Sequence, residues 1–536
     1  MTMRSYAWIL AGLSTIGAMT GASPAWAAVV NVGPGDDVEG AINAAQPGDE
    51  IVLAGGMYTL TERFSFDIAG TEGQPIIIRA ADGEQPHLHR PDAAQNIVDI
   101  DGATWVEIRG IEFSGGSAGI RISAADHLTI EDCEIHDTAD VALRANDGGV
   151  TYESLHIVHN HIHDTDDTGE GMYLGCNNDG CRLANSVIER NWVHHTNGPM
   201  VVQGDGIEIK EGSYGNVIRD NVIHDTKYPC ILTYSTAGNG PPNVIERNVL
   251  WNCGDHGIQS AADATIRNNI ILSANVDGIA MQMHQSGSPD NLEVVHNTIV
   301  KSTNDAISLR NAVGDVLIAN NAVYAQSGSA IFFGAGDTSG VILAGNVGIG
   351  GVSGGPGGGY VDGDPTLDLV DGHFGGAPPI DVFPAPGGAL IGAGDPAYVT
   401  ADDFNTTPRG GVADVGAYLF DPEGNPGWPL APEFKDFPDG GGSDTDGGTG
   451  DTGSDGTGGV DETGGNGSLG DTGTGGAGSE AGDGTGGATE GTGGTGGSAG
   501  GGDGEGGGCG CRSTDRAPLG GAMLMMLLGF LARRRR

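Results

Sequence analysis

Lysine is nearly missing from this chain. Four lysines stand among 536 residues, Lys210, Lys227, Lys301 and Lys435, and lysine plus arginine total 24 against 70 aspartates and glutamates. The formal charge is −46. So few cations exclude a phosphate-backbone partner, which needs them clustered. The seven cysteines form no CxxC and no Cys/His spacing that supports zinc. Long apolar runs are missing too. The stretches near the two ends are both short of the roughly 20 residues that make a good membrane span. From Phe437 to Gly508 the chain has almost no large apolar residue and no further aromatic. Such a segment cannot bury a core, and its acidic charges repel one another, so it reads as a disordered, extended stalk. Its SDTDGG and GDTGSDG pieces lack full calcium-loop spacing and imply only loose cation association.

What is present is a repeat. Seven segments follow I/V-x-x-N-x-I/V/L/A: IVHNHI, IERNWV, IRDNVI, IERNVL, IRNNII, VVHNTI and IANNAV. Their asparagines are Asn160, Asn191, Asn221, Asn248, Asn269, Asn297 and Asn321. An imperfect copy ends at Asn346, and Ile111 and Cys133 take the Asn place in two earlier ones. These ten segments lie 21 to 31 residues apart, a period near that of one β-solenoid coil. The aliphatic positions should stack inward, and the Asn side chains should bond to one another along the axis, because a buried amide is tolerable only when satisfied. With coils ~4.8 Å apart, ten coils make a rod roughly 50 Å long.

A second strand follows in most coils, as in GMYL at Gly171 and GIEI at Gly206. An acid often precedes it: Asp140, Glu170, Asp205, Asp277 and Asp305. That row is either a solvated turn or part of a cation-lined face. His136, His163, His194 and His224 share one place, three residues after the Asn position. They read as a stacked outward ladder, a kind of surface also suited to sugar contacts. His256 and His284 fall on the second-strand side, apart from that ladder. Cys176 and Cys181, in the polar loop CNNDGC, should pair; Cys230 and Cys253 pair if their coils stack; Cys133 reads as an inert buried thiol.

The flanks divide the chain. Residues 1–27 have a basic start, an apolar centre and A-x-A at Ala25 and Ala27, the pattern of a secretory signal. Residues 28–420 form the repeat body. Asp36 or Asp37 can cap a short helix carrying Val38, Ile42 and Ala45, which would cover the open first coil. Residues 421–508 are the Pro/Gly/Asp/Ser/Thr-rich linker. Residues 509–536 hold Cys509 and Cys511, an apolar stretch from Pro518 to Ala532, and four terminal arginines.

Several of these pieces resemble known families. The entry VVNVGPGDDVEGAINAAQPGDEIVLAGG resembles that of pectin-lyase-like proteins, and GTEGQPIIIRAADGEQPHL resembles the second coil of the alginate and chondroitin lyase branch. The resemblance implies an all-β, right-handed, single-stranded parallel β-helix followed by the disordered acidic stalk. IGAG at Ile391, DFNTTPR at Asp403 and DVGAY at Asp414 resemble the terminal motif of bacterial surface β-helix proteins. That motif should finish and cap the last coils, with Arg409 and Asp414 bridging locally. The tail resembles the MYXO-CTERM sorting signal, which implies export and anchoring at the cell surface or outer membrane through Cys509 or Cys511. A permanent C-terminal membrane anchor is the alternative.

Chemistry should sit in the polar middle coils, where two of the four lysines fall with Asp205, Glu208, Glu211, Tyr214, Tyr228 and Tyr234. Eliminative cleavage of a uronate polymer fits these residue types. A base removes the C5 proton, and Ca2+ neutralises the adjacent carboxylate. Glu208 and Lys210, two apart, project from one face of a strand. Asp205 and Glu211 at its ends could complete an oxygen site for Ca2+. Lys210, Lys227 and Tyr234 are the candidate catalytic groups. In the β-helix lyases a segment E-I-x-x-K-S-x-x-N carries calcium ligands and the lysine base. Here the matching stretch is Glu208-Ile209-Lys210-Glu211-Gly212-Ser213-Tyr214-Gly215-Asn216, with Lys210 two places early. The next coil reads LTYSTAG where those lyases have an arginine, which puts Tyr234 there.

The runner-up reading is a non-catalytic, glycan-binding or structural surface protein, in which Lys210 merely pairs with Glu208 or Glu211. A polygalacturonase-type hydrolase could draw on Asp166, Asp167 and Glu170 beside His163, but the NTD, DD, GHG and RIK series is missing. The expected partner is a polysaccharide, met by a monomer outside the cytoplasm.

Overall fold

A computed structural model describes residues 27–436. The signal segment up to residue 26, most of the acidic linker and the Cys509/Cys511 tail lie outside the described residues. Among those described, no helix is long and apolar enough to cross a membrane.

Each coil is a triangle of three short parallel strands. In one coil these are Val217–Arg219, Val222–Thr226 and Ile231–Thr233. Alternation sends Ile218, Ile223 and Ile231 inward, each with no exposed surface. Register carries the pattern on: Ile188, Ile218 and Ile245 stack, as do Ile207, Ile231 and Ile258. The inward faces therefore merge into one continuous core. Where the first strand turns into the second, the residue before each Asn has a left-handed backbone, as at Arg190, Asp220 and Arg247 with φ of 54°, 57° and 57°. The Asn then points inward.

The expected ladder is complete. The backbone and Nδ2 N–H groups of Asn221 both donate to Asn248 Oδ1, at 3.0 and 2.9 Å, and Asn191 donates in the same way to Asn221. The row runs from the Cys133 N–H to Asn346. A shorter ladder at another bend was not foreseen. There Ser186 donates to Asn216, and Asn216 to Asn243, so Asn216 is scaffold.

The second strand row counts thirteen members, from Gly56–Thr59 to Tyr360–Asp362. Ten coils were expected. The three at the ends lack the Asn pattern, and the rod is roughly 60 Å long at the ordinary ~4.8 Å spacing. At the N-terminal end the helix α1 (Val38–Asn43) is capped by Asp37, whose carboxylate accepts from the Gly40 N–H at 2.8 Å. Val38 and Ile42 are buried against the first coils.

The C-terminal region departs from expectation. Instead of only finishing the last coils, it runs back along the outside of the second row. Leu369, Phe383, Phe404, Tyr418, Trp428 and Leu430 pack on Trp251, Leu272, Val300 and Tyr324. The linker expected from residue 421 is thus held to the body through residue 436. The physical reason is Lys435, fully buried, whose Nζ donates to Asp220 Oδ1 at 2.7 Å and to two carbonyls. Arg409 bridges to the Asp414 backbone carbonyl, not its carboxylate, and ties four more oxygens of this segment and Asn268 together. Both expected disulfides are present, Cys176–Cys181 and Cys230–Cys253, and Cys133 is a free buried thiol, pushed up to about 12 by burial.

Candidate functional site

The third strand row, which holds the second strand that the sequence predicts for each coil, gathers the ionisable groups with the turns that flank it. Strand Ile207–Ile209 buries its two isoleucines in the core, so Glu208 between them faces out. Lys210, two residues on, lies on the same side. Its ammonium contacts Glu208 Oε1 and lies 3.3 Å from Tyr234 Oη. Tyr234 follows strand Ile231–Thr233 in the next coil, and its hydroxyl donates to Glu208 Oε1 at 3.0 Å. The Tyr173 ring from the preceding coil stands 4.4 Å from the same ammonium. His284 closes the group from a later loop, its Nε2 3.0 Å from Tyr234 Oη. Glu208, Lys210 and Tyr234 are 2, 4 and 3 % exposed.

Beside them lie the carboxylates. Glu170 and Asp205 occupy equivalent turns in neighbouring coils, because Gly171 N–H bonds to the Asp205 carbonyl across the row. Oxygens of Glu170, Asp205 and Glu208 lie within 4.8 Å of one another. Both Glu170 oxygens, Asp205 Oδ1 and Glu208 Oε2 are buried with no hydrogen-bond partner. An unpaired buried carboxylate oxygen is costly, and four in one place is the donor set of a hard divalent cation. The residues present therefore fit Ca2+.

The electrostatics follow. Burial, then repulsion from Glu208, pushes the Glu170 carboxyl up to about 7. Burial with Glu208 and Glu170 raises Asp205 well above the usual range. Burial pulls the Lys210 ammonium down, but Glu208 and the two tyrosines outweigh it and the net shift is upward. Burial raises the Tyr234 phenol, and burial with Lys210 lowers His284. Lys210 thus stands as an ammonium rather than as a proton acceptor.

Of the six residues singled out from sequence, Asp205, Glu208, Lys210 and Tyr234 come together. Glu211 and Lys227 do not join them. Glu211 lies in the turn after the strand, and its carboxylate instead accepts from Ser286 of the loop 282–291. Lys227 lies in the turn before strand Ile231–Thr233, where its N–H bonds to the Gly204 carbonyl. Among the described residues no ion pair ties it to the cluster. The third ligand place belongs to Glu170, signalled by the acidic turn row. His284 had no such signal, since it arrives from a loop more than two coils away.

That loop covers the site. Besides the His284 and Ser286 contacts, Gln285 donates to Asn177 Oδ1 at 2.7 Å and accepts from Asn178 N–H at 3.2 Å. It reaches back across the stack to the Cys176–Cys181 loop.

Comparison with known proteins gives two family matches: "Pel9A-like, right handed beta helix region" over residues 25–219 and "Right handed beta helix region" over residues 202–323. No curated protein matches. Among solved structures, an alginate lyase from Paenibacillus sp. str. FPU-7 is 22 % identical, covering 62 % of this chain and 99 % of its own, with a TM-score of 0.41. Pectate lyase Pel9A is 16 % identical, covering 74 % and 96 %, with a TM-score of 0.42. The A-module of the Azotobacter vinelandii mannuronan C-5 epimerase AlgE6 is 15 % identical, covering 63 % and 100 %, with a TM-score of 0.36. The coil topology and the two family matches show a right-handed parallel β-helix.

Proposed function

We propose that this β-helix cleaves a uronate-containing polysaccharide by β-elimination, with Glu170, Asp205 and Glu208 holding Ca2+. The observation that carries the reading is the buried Lys210–Tyr234–His284 group set against carboxylate oxygens that have no partner. When bound, the cation would neutralise the substrate carboxylate and so ease loss of the neighbouring C5 proton. Tyr234 is placed to take that proton, because its hydroxyl lies between Lys210 and His284. The phenol's own proton must leave as the C5 proton arrives, and His284, with Nε2 3.0 Å from Tyr234 Oη, can accept it. The Lys210 ammonium faces the place where negative charge develops, and it can supply a proton to the departing O4 oxygen. A polymer reaches these groups only when the loop 282–291 lifts.

The test is incubation of the chain with pectate, alginate and glycosaminoglycans in Ca2+, following the absorbance of unsaturated product. Tyr234→Phe should lower the rate by about 10²-fold or more, and Lys227→Ala should leave it unchanged. No product from any of the three polymers overturns the reading. The closed loop over the cluster favours one other reading, a non-catalytic glycan-binding protein, which predicts saturable retention of polymer without product.

We also infer that the protein works outside the cytoplasm as a monomer, anchored through Cys509 or Cys511. Two disulfides support the location.

A further inference from the structure

A second concentration of ligating groups lies on the outer surface of the second strand row, over the coils where the C-terminal segment ends with Phe434 beside His159 and His161. Two columns of side chains run side by side there. One reads His87, Glu112, Glu134, His161 and Trp192 from coil to coil, and the other Ser114, His136, His163, His194 and His224. Within them stand two triads of the same make-up. His87 Nδ1 and His136 Nε2 lie 3.2 and 3.3 Å from Glu112 Oε1. His161 Nδ1 and His163 Nε2 lie 3.3 and 3.2 Å from Glu134 Oε1. In each triad the ligand atoms all fall within 4.8 Å of one another. Ligands about 2.0–2.2 Å from a tetrahedral ion are themselves about 3.4 Å apart, which is the separation seen.

The far side of each ring is oriented as well. His136 and His163 set Nδ1 against Asp137 and Asp164, at 2.8 and 2.7 Å. Both aspartates have left-handed backbones, with φ of 52° and 53°, that fold the carboxylate back onto the preceding ring. His87 Nε2 meets Ser114 Oγ at 2.6 Å, and His161 Nε2 meets His194 Nε2 at 2.8 Å. A metal-bound histidine ordinarily has its second nitrogen held in this way.

His224 shows what the row does where no ion is called for. Its Nδ1 meets Asp225 at 2.6 Å, and its Nε2 accepts from the Trp192 indole N–H at 3.0 Å. The row's ring therefore carries its proton on Nδ1 and a lone pair on Nε2. At His136 and His163 the same orientation brings Nε2 against a carboxylate, so that either a ring proton or a metal ion stands between the two.

We propose that the His87–Glu112–His136 and Glu134–His161–His163 triads each bind a divalent transition-metal ion of the zinc class. Imidazole with carboxylate suits such ions and not Ca2+. A cleft of about 250 Å³ bordered by Glu112, Glu134, His161 and Phe434 gives access to both. No linear spacing announces the first triad, which draws one ligand from each of three coils, and the second shows only the pair His161-x-His163.

The test is equilibrium dialysis of the full chain against Zn2+ with Ca2+ in excess, so that acidic stretches and the Glu170–Asp205–Glu208 cluster are occupied. Two zinc ions per chain are expected. Glu112→Gln and Glu134→Gln should each remove one, and His224→Gln should remove none. X-ray absorption of the zinc-loaded wild-type chain should give two imidazoles per zinc at about 2.0–2.1 Å. That measurement decides the matter even if a variant fails to fold. No saturable zinc, a shell of oxygen alone, or unchanged stoichiometry in both glutamine variants overturns the proposal.

Discussion

An amide in the interior must be matched at both of its polar ends, and the Asn ladder does this with neighbours of its own kind. Asn221 Oδ1 receives two N–H groups from Asn191, and its Nδ2 donates to the Ile188 carbonyl and to Asn248. Asn221→Ala would strand donors above and an acceptor below. The expected cost is about 2–4 kcal/mol, read as a lower denaturation midpoint; a change under about 0.5 kcal/mol would show that water replaces the amide.

His296 gives a pH dependence of definite sign. It is fully buried under the C-terminal segment, and burial followed by Arg409 lowers it to about 3. The unfolded chain takes up a proton near pH 6.5, so the folded state binds fewer protons between about 6.5 and 3. Stability should therefore be full above pH 6.5 and fall with acidification by up to about 1.4 kcal/mol per pH unit. His296→Gln should flatten that slope in urea melts at pH 4 to 7, and an unchanged slope would assign it to other groups. At this scale the sequence was readable wherever one strand supplied both partners. Glu208 and Lys210 are two apart and were legible. Glu170 and His284 reach them from other coils, and although the acid row and the hydrolase reading both named Glu170, neither joined it to this cluster.

Among elements, the loop 282–291 is held by contacts that can be removed without touching the cluster it covers. Gln285→Ala with Ser286→Ala deletes its ties to Asn177, Asn178 and Glu211. Lys210 should then react several-fold faster with an amine-specific reagent, followed by mass spectrometry of its peptide. Equal protection in the variant would show that the loop is held by other means. The strands themselves were legible because alternation and the Asn bend recur in every coil. The loop's path was not, since nothing in its own residues names a target so far back in the chain. The reversal of the C-terminal segment left one trace. At the outward place of the second row, histidine gives way after His224 to Trp251, Leu272, Val300 and Tyr324, the change expected where a covered surface begins.

For the whole molecule, that cover predicts the effect of truncation. Ending the chain after Asp362 would bare Trp251, Leu272, Val300 and Tyr324 in a continuous apolar strip. The shortened protein should self-associate, seen as a higher mass by light scattering than that of the full chain. A monomer of unchanged stability would sink the idea that this segment belongs to the folded body. The coil architecture itself was plain from the repeat. Gly56–Thr59, Pro86–Arg90 and Tyr360–Asp362 lack the amide that marks the others, and of these end coils only the one at Pro86–Arg90 showed, through its family resemblance.

The ladder has one more property. Every Asn offers its neighbour the same groups at the same spacing, so the ladder cannot tell one coil from the next. A chain shifted by a whole coil would satisfy it equally well. What numbers the coils is the set of links that belong to one place only: Cys230 to Cys253, Gln285 to Asn177, Lys435 to Asp220, and Asn320 to the Asp395 and Tyr398 carbonyls. The stack is thus a ruler without figures, and these links write the figures on. Growth by duplicated coils has room before residue 159, where among the described residues none of these links crosses, and is barred between 177 and 285, where a single added coil would part the loop from the site it covers.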